Sequence, residues 1–95
     1  MMLRTIRVLD SIVTDGQGSA YACRVLGGRA DDGLWEGYLE FRSSDGAVLL
    51  TPRETRQPDQ VDLVYWATGL SGVYLEGALQ RARDARATRP LSQSR

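Results

Sequence analysis

Residues 34–43, LWEGYLEFRS, decide the fold, because two kinds of side chain alternate along them. Trp35, Leu39 and Phe41 occupy every second position together with Gly37, which lies between Trp35 and Leu39. The positions between them are polar and comprise Glu36, Tyr38, Glu40 and Arg42. Successive side chains of a strand point to opposite faces, and one buried face with one wet face is typical of antiparallel sheets. The segment therefore predicts an antiparallel strand with Trp35, Leu39 and Phe41 in the core.

The segment at the beginning of the chain, residues 3–14, is rich in Ile, Val and Leu and ends at a glycine-containing turn. Ile6, Leu9 and Val13 also have the spacing of a helix face, so helix is the competing interpretation. The β-branched residues and the glycines that follow favour a strand.

Two more strands are predicted on either side of residues 34–43. Residues 19–26 form the second strand, which Gly27-Gly28 is predicted to end, and residues 47–51 form the fourth. Pro52 has no N–H to donate, so strand pairing is expected to weaken there.

After Gln57 the spacing of the apolar residues becomes helical. Asp59 is the predicted N-cap of a first helix, and Gly69 is its predicted end. A stripe on this helix is predicted to face the core, namely Val61, Val64, Tyr65 and Thr68. Ser71 can cap a second helix, in which a small residue at Gly77 would permit close packing on the sheet. The apolar face of that helix is Tyr74, Leu75, Ala78, Leu79 and Ala82.

These elements predict an α+β fold, in which a four-stranded antiparallel β-meander is followed by two short C-terminal helices packed on one sheet face. Ninety-five residues fit one domain, which is expected to cover residues 1–87. Residues 88–95 are expected to be a disordered basic tail. No apolar run is long enough to span a membrane, and the N-terminus lacks the apolar core of a signal peptide. A cytoplasmic protein without membrane contact is expected.

The composition excludes several kinds of chemistry. All twelve basic residues are arginine, so the chain has no histidine for general-base catalysis and no lysine for a Schiff base or a phosphate-binding loop. Cys23 is the only cysteine, which excludes a disulfide framework and leaves a poor ligand set for zinc. No metal and no cofactor is expected.

Charge is unevenly distributed along the chain. Residues 1–80 contain seven arginines and eleven acids, whereas residues 81–95 contain five arginines and one acid. The arginines of the second part are candidate contacts to nucleic acid or to an acidic partner. The candidates that we single out are Arg81, Arg83, Arg86 and Arg89. The alternative is that Arg81, Arg83 and Arg86 complement the negative end of a helix dipole.

The segment at residues 53–58, RETRQP, is the most distinctive connection in the chain. Loops held by a rigid scaffold often carry binding sites, and Arg and Trp are frequent in interface hot spots. The candidate partner-binding residues are therefore Arg53, Glu54, Arg56 and, if it is partly exposed, Trp66. The alternatives are a plain connector, in which Arg53 and Arg56 pair with Glu54 and Asp59, and a Trp66 that packs in the core.

Carboxylates are the remaining candidates for catalysis. Glu36 and Glu40 share one face of their strand, but four residues place their Cα atoms roughly 13 Å apart. The two side chains would have to converge strongly to reach the separations found in glycosidases. Glu54 is the third candidate, and the alternative for the first two is a solvated strand face on which Glu40 and Arg42 pair across to neighbouring residues.

Three stretches resemble a group of small bacterial proteins that has no assigned function. They are GLWEGYLEF at residues 33–41, RETRQP at residues 53–58 and VDLVYWATGLSGVYLEGALQRA at residues 61–82. The likeness covers residues 19–83. It rests on Trp35-Glu36-Gly37, Arg53-Glu54-Thr55, Gln57-Pro58, Tyr65-Trp66-Ala67 and Tyr74-Leu75-Glu76-Gly77. The resemblance implies no activity.

From the residues, the leading hypothesis is a non-catalytic binding or accessory module that acts through protein–protein contacts or by self-association. One alternative is weak nucleic-acid binding through the arginine-rich C-terminus. A second alternative is a small carboxylate-dependent enzyme that uses Glu36, Glu40 or Glu54.

Overall fold

Five strands and two helices follow one another in the computed structural model, which describes residues 1–87. The predicted tail at residues 88–95, with Arg89, lies outside the described residues. The strands are β1 Arg4–Thr14, β2 Ala20–Arg29, β3 Trp35–Ser43, β4 Val48–Leu50 and β5 Thr55–Gln57, and the helices are α1 Gln60–Thr68 and α2 Gly72–Ala87.

The sheet has the order β1-β2-β3-β4, with antiparallel pairing between all neighbours, and β5 pairs with β3 beside β4. Both helices pack on the same sheet face, where the core forms. The predicted α+β class with its antiparallel meander and two C-terminal helices is confirmed. Neither described helix is long and apolar enough to cross a membrane.

Pro52 separates β4 from β5, as its missing N–H predicts. Thr51 bonds to Leu39 through both its backbone N–H and its hydroxyl oxygen, and Thr55 lies opposite Gly37. The three residues 52–54 therefore oppose the single residue Tyr38, which is a bulge in the edge of the sheet. Predicting residues 53–58 as a connecting loop is wrong for Thr55–Gln57, because the first half of β3 still offers unpaired backbone groups and the chain returns to pair with them.

Bulges also explain the helix-like spacing in β1. Its register against β2 shifts between Thr5 and Arg7 and again between Val8 and Ile12. The first shift places one extra residue in β1 and so reverses which alternate side chains face the core, whereas the second places two extra residues and leaves the alternation unchanged. Three apolar residues spaced by three and by four positions therefore all pack against the core, namely Ile6, Leu9 and Val13. The strand interpretation is confirmed.

The expected end of the second strand at Gly27-Gly28 is wrong, since β2 continues to Arg29. Gly27 pairs with Gly37 across β2 and β3. A Cβ atom at Gly27 would lie 2.5 Å from Cδ2 of Leu63, and one at Gly37 would lie 2.7 Å from Cδ1 of the same side chain. These glycines do not terminate a strand; they make room for α1.

The stripe predicted to bury α1 is also wrong, because the helix is turned by about half a revolution. Leu63 and Ala67 are buried and Trp66 packs beside them. The predicted stripe points outwards, and Val61 and Tyr65 are 75% and 78% exposed. Leu63 faces inwards because its side chain fits the space that Gly27 and Gly37, which have no side chains, leave in the surface of the sheet. We call this space the notch. The helix therefore has an apolar stripe on each side.

The predicted helix ends are confirmed. Asp59 accepts a hydrogen bond from the N–H of Asp62 at 2.9 Å, Gly69 is the C-cap of α1, and the hydroxyl of Ser71 accepts one from Tyr74. The apolar face of α2 packs on the sheet as predicted. Gly77 does not contact the sheet, because the nearest atom to a Cβ there is Nη1 of Arg81, at 3.3 Å.

Candidate functional site

One face of the sheet is left uncovered by both helices, and we call it the open face. Along each strand, the side chains that alternate with the core residues point to this face, and in β3 these are the polar residues. Its charged members are Arg24, Glu36, Glu40, Arg42, Arg53 and Arg56. Its exposed aliphatic members are Val8, Ile12, Val48 and Leu50. The open face combines paired ions with apolar surface.

Glu40 lies at the centre of this face, directly opposite Arg24 in β2. The guanidinium of Arg24 donates to both carboxylate oxygens, at 2.7 and 3.2 Å, and Arg42 donates to one of them at 3.4 Å. The hydrogen bond from Arg24 holds the pKa of Glu40 below its ordinary value. The expected wet face is therefore wrong at Glu40, which is only 8% exposed because the two arginines cover it.

A second ion cluster surrounds Glu36 at the other end of β3. Arg53 donates to its carboxylate at 3.4 Å, Nε of Arg56 lies 3.6 Å away, and the Tyr38 hydroxyl donates at 3.0 Å. Arg56 also pairs with Asp32. The expected pairing of Arg53 and Arg56 with Glu54 and Asp59 is wrong, because the bulge turns Arg53 towards the open face and the pairing of β5 with β3 places Arg56 opposite Glu36.

The arginines lie outside and the carboxylates lie beneath them. The side chains of Arg42 and Arg53 are about half exposed, whereas those of Glu36 and Glu40 are largely covered. Beside them Val8 is 69% exposed and lines a depression of about 250 Å³ with Ala22, Arg24, Glu40 and Arg42. A volume below the roughly 300–1,000 Å³ of small-molecule pockets suits a single side chain better than a cofactor.

Glu54 and Trp66 lie on the helix-covered side, away from Arg53 and Arg56. The carboxylate of Glu54 accepts two hydrogen bonds from Arg81, at 2.7 and 3.0 Å, and one from the Tyr74 hydroxyl at 2.7 Å. Trp66 meets Tyr74 edge to face, with 6.1 Å between the ring centroids. Half-buried Trp66 thus packs beside the core, and the four predicted binding residues separate into two groups.

Desolvation raises the pKa of Glu54, but its hydrogen bonds from Arg81 and Tyr74 outweigh that effect, and its pKa lies below the ordinary value. For Tyr74, desolvation and the hydrogen bond to Glu54 raise the phenol pKa to about 12. Glu54 is therefore an ionised anchor between the edge of the sheet and α2. This geometry suits a structural clamp.

The candidate tail arginines are distributed along α2. Arg81 is held by Glu54 in mid-helix, and Nη1 of Arg83 lies 3.8 Å from Oδ2 of Asp15. Arg86 lies in the last turn, where a cation complements the helix dipole. Arg89 lies outside the described residues. Arg81 and Arg83 thus bind the chain's own carboxylates, whereas Arg86 matches the helix-dipole alternative.

The three candidate catalytic carboxylates do not converge. Glu36 and Glu40 occupy separate ion clusters on the open face, and Glu54 lies on the opposite side of the sheet. Cys23 is buried, and desolvation together with the charge of Glu40 raises its pKa to about 12. In this state the thiol is a core side chain.

Sequence reasoning missed part of the open face. Arg42 was on the predicted polar side of β3, but assigning Arg24 to the same cluster requires the register of β2 against β3. Val8 and Ile12 were assigned only to a strand, and the two bulges of β1 hid which of its residues face away from the core.

In comparisons with known proteins, no family model matches the chain, and no curated protein and no solved structure is significantly similar to it. These comparisons do not bear on the resemblance to the group of small bacterial proteins.

Proposed function

We propose that this protein is a non-catalytic binding module that holds an acidic, partly apolar protein surface on the open face of its sheet. The observation that carries the proposal is the layering of the ion clusters. Glu36 and Glu40 lie beneath four arginines, so guanidiniums are presented to solvent beside exposed Val8 and Leu50, and the exposed carboxylate next to them is that of Asp32, which pairs with Arg56. Guanidinium groups recognise carboxylates with planar, directional hydrogen bonds.

The aliphatic residues favour a protein over a nucleic acid. Single-stranded nucleic acids bind where bases can stack on aromatic rings next to a basic groove. Here the exposed apolar residues of the open face are Val8, Ile12, Val48 and Leu50, which cannot stack bases. Tyr38, an aromatic residue on the same face, is only partly exposed and is held by its hydrogen bond to Glu36. Arginine is instead enriched at protein interfaces, whose buried cores are apolar.

A double variant, Arg42→Ala with Arg53→Ala, tests the proposal with little risk to the fold. Both side chains are about half exposed, and Arg24 and Arg56 remain to pair with Glu40 and Glu36. We expect the variant to bind the partner at least about tenfold more weakly, which corresponds to 1.4 kcal/mol.

The matched control is Arg29→Ala with Arg86→Ala, which removes the same charge away from the open face. The partner is first captured from the native cell extract with the wild-type chain and identified. Its affinity for the wild type and the two double variants is then measured with purified components. Equal affinity for the wild type and the Arg42/Arg53 variant would refute the proposal, and so would a captured partner that nuclease treatment removes.

A further inference from the structure

A second apolar surface lies on the opposite side of the molecule from the open face. It is the outward stripe of α1 with Val61, Val64 and Tyr65, and Val73 at the start of α2 is exposed as well. The inward stripe of the same helix already packs on the core through Leu63 and Ala67. A helix that is apolar on both sides is typical of a helix with protein on both sides.

The charges at this stripe are acidic. Asp59 caps α1, Asp62 lies in its first turn, and α1 itself contains no basic residue, although Arg4 of β1 donates to the side chain of Gln60 at its beginning. The open face has the opposite character, because Arg42 and Arg53 are about half exposed above the covered carboxylates. Within residues 1–87, which the structure describes, the protein therefore has two uncovered apolar surfaces with complementary charge.

The two surfaces also match in size. Nine residues of helix are about 13 Å long at 1.5 Å per residue. The open face spans four strands from Val8 to Leu50, which is about 14 Å at 4.8 Å per strand spacing. At its centre, the depression of about 250 Å³ beside Arg24 and Arg42 has room for one side chain. Tyr65 is the most exposed ring of the stripe, and its face can stack on a guanidinium.

We infer that the occupant of the open face is α1 of a second copy of this chain, with Tyr65 inserted between Arg24 and Arg42. This inference rests on the proposed function and names the partner. Because the two surfaces lie on opposite sides of one molecule, the contact is head-to-tail. A head-to-tail contact leaves one free surface of each kind at the ends of the assembly, so it grows into longer chains or closes into a ring.

Two variants remove one surface each. Val8→Glu places a carboxylate on the open face, where it repels the acidic helix, and Val8 is exposed enough to accept it. Val61→Ala with Tyr65→Ala removes the outward stripe, and Ala is the better helix former at both positions. Ser44→Glu, in the exposed turn between β3 and β4, is the control for an added charge.

Sedimentation velocity over a range of concentrations measures the assembly of the full chain. We expect the wild type and Ser44→Glu to exceed the mass of a dimer as concentration rises, whereas Val8→Glu and Val61→Ala/Tyr65→Ala each remain single chains. The decisive sample is the equimolar mixture of the two defective variants. Each supplies the surface that the other lacks, so the mixture should form a dimer and stop there.

Three outcomes would overturn the inference: a wild type that stays a single chain, a wild type that stops at a dimer, or a mixture that does not associate. Different outcomes would refute the proposed function. If the wild type stays a single chain but the Arg42/Arg53 variant loses a captured protein, the open face binds a different partner. If that variant loses neither self-association nor capture, both proposals are refuted.

Discussion

Gly27 and Gly37 lie directly opposite each other in β2 and β3, and the side chain of Leu63 fills the space above both. This notch determines how α1 sits on the sheet. With Leu63 inserted, Ala67 and Trp66 follow it inwards, and Tyr65 is left facing outwards. The rotation of the helix, and with it the exposed stripe, depends on the absence of two side chains.

Filling the notch should destabilise the fold. A Cβ at Gly27 would come within 2.5 Å of Leu63 and 2.8 Å of Ile6. Overpacking of this kind costs about 1–3 kcal/mol. We expect Gly27→Ala to lower the free energy of unfolding by that amount, as measured by urea denaturation.

A double-mutant cycle with Leu63→Ala provides the control for this prediction. Leu63→Ala alone should cost about 2–5 kcal/mol, because it leaves a cavity. Combined with Gly27→Ala it should cost less than the sum of the two changes, since the new methyl group then occupies part of that cavity. Strict additivity would show that Leu63 does not fill the notch.

The notch also shows where prediction from sequence fails. Alternation in residues 34–43 was sufficient to predict β3, and the meander and helix caps followed from turns and capping residues. The rotation of α1 was not predictable, because Val61, Val64 and Tyr65 form as good a helical stripe as Leu63, Trp66 and Ala67. Only the pairing of Gly27 with Gly37, a contact between distant segments, decides between the two stripes.

The prediction of the candidate site was incomplete for the same reason. Arg53 and Arg56 were singled out from residues 53–58, but local sequence does not reveal that a bulge and the register of β5 bring them to Glu36. Glu54, in the same segment, faces the opposite way and pairs with Arg81, 27 positions further along the chain. Which charged residues share a face depends on pairing between distant segments of the chain. Local sequence patterns do not reveal that pairing.

The pair formed by Arg81 and Glu54 should stabilise the contact between α2 and the edge of the sheet. The side chain of Glu54 is only 4% exposed, so Arg81→Met leaves a covered carboxylate with Tyr74 as its donor. The side chain of Arg81 is 44% exposed, so we expect a loss of about 1–3 kcal/mol, less than the roughly 3–5 kcal/mol of a fully buried pair. Urea denaturation measures the change.

Gln80→Met, on the exposed side of the same helix, is the matched control for Arg81→Met. It should leave the free energy of unfolding within about 0.5 kcal/mol of the wild type. If the two variants were equally stable, the hydrogen bonds from Arg81 to Glu54 would contribute nothing measurable.

Stability should decrease in acid because of Glu40 and Glu54. Both carboxyl groups have a folded-state pKa below the ordinary value of 4.5, so the folded state takes up their protons less readily than the unfolded state. Their stabilisation is fully present above about pH 5.5. It decreases below pH 4.5 and is lost as the pH falls through the folded-state values. Thermal unfolding between pH 7 and pH 3 measures this dependence.

Glu54→Gln isolates one of the two groups. This variant is expected to be less stable than the wild type at pH 7, because the charge-assisted bonds from Arg81 are weakened. Its stability should then change less between pH 5 and pH 3, since one titrating carboxyl group has been removed. An acid dependence as steep as that of the wild type would assign the effect to other carboxylates.

Cys23 should report global unfolding. Its side chain is buried between β2 and the helices, and burial together with the charge of Glu40 raises the thiol pKa to about 12. Because the thiolate is the reactive form, a disulfide reagent at pH 8 should modify the folded chain far more slowly than the chain in urea. The rate in the native state should increase in Gly27→Ala about tenfold for every 1.4 kcal/mol by which its free energy of unfolding is lowered, since destabilisation raises the population of the open state. Rapid modification of the native wild type, at a rate that Gly27→Ala leaves unchanged, would instead show that the thiol is reached by a local opening of the sheet.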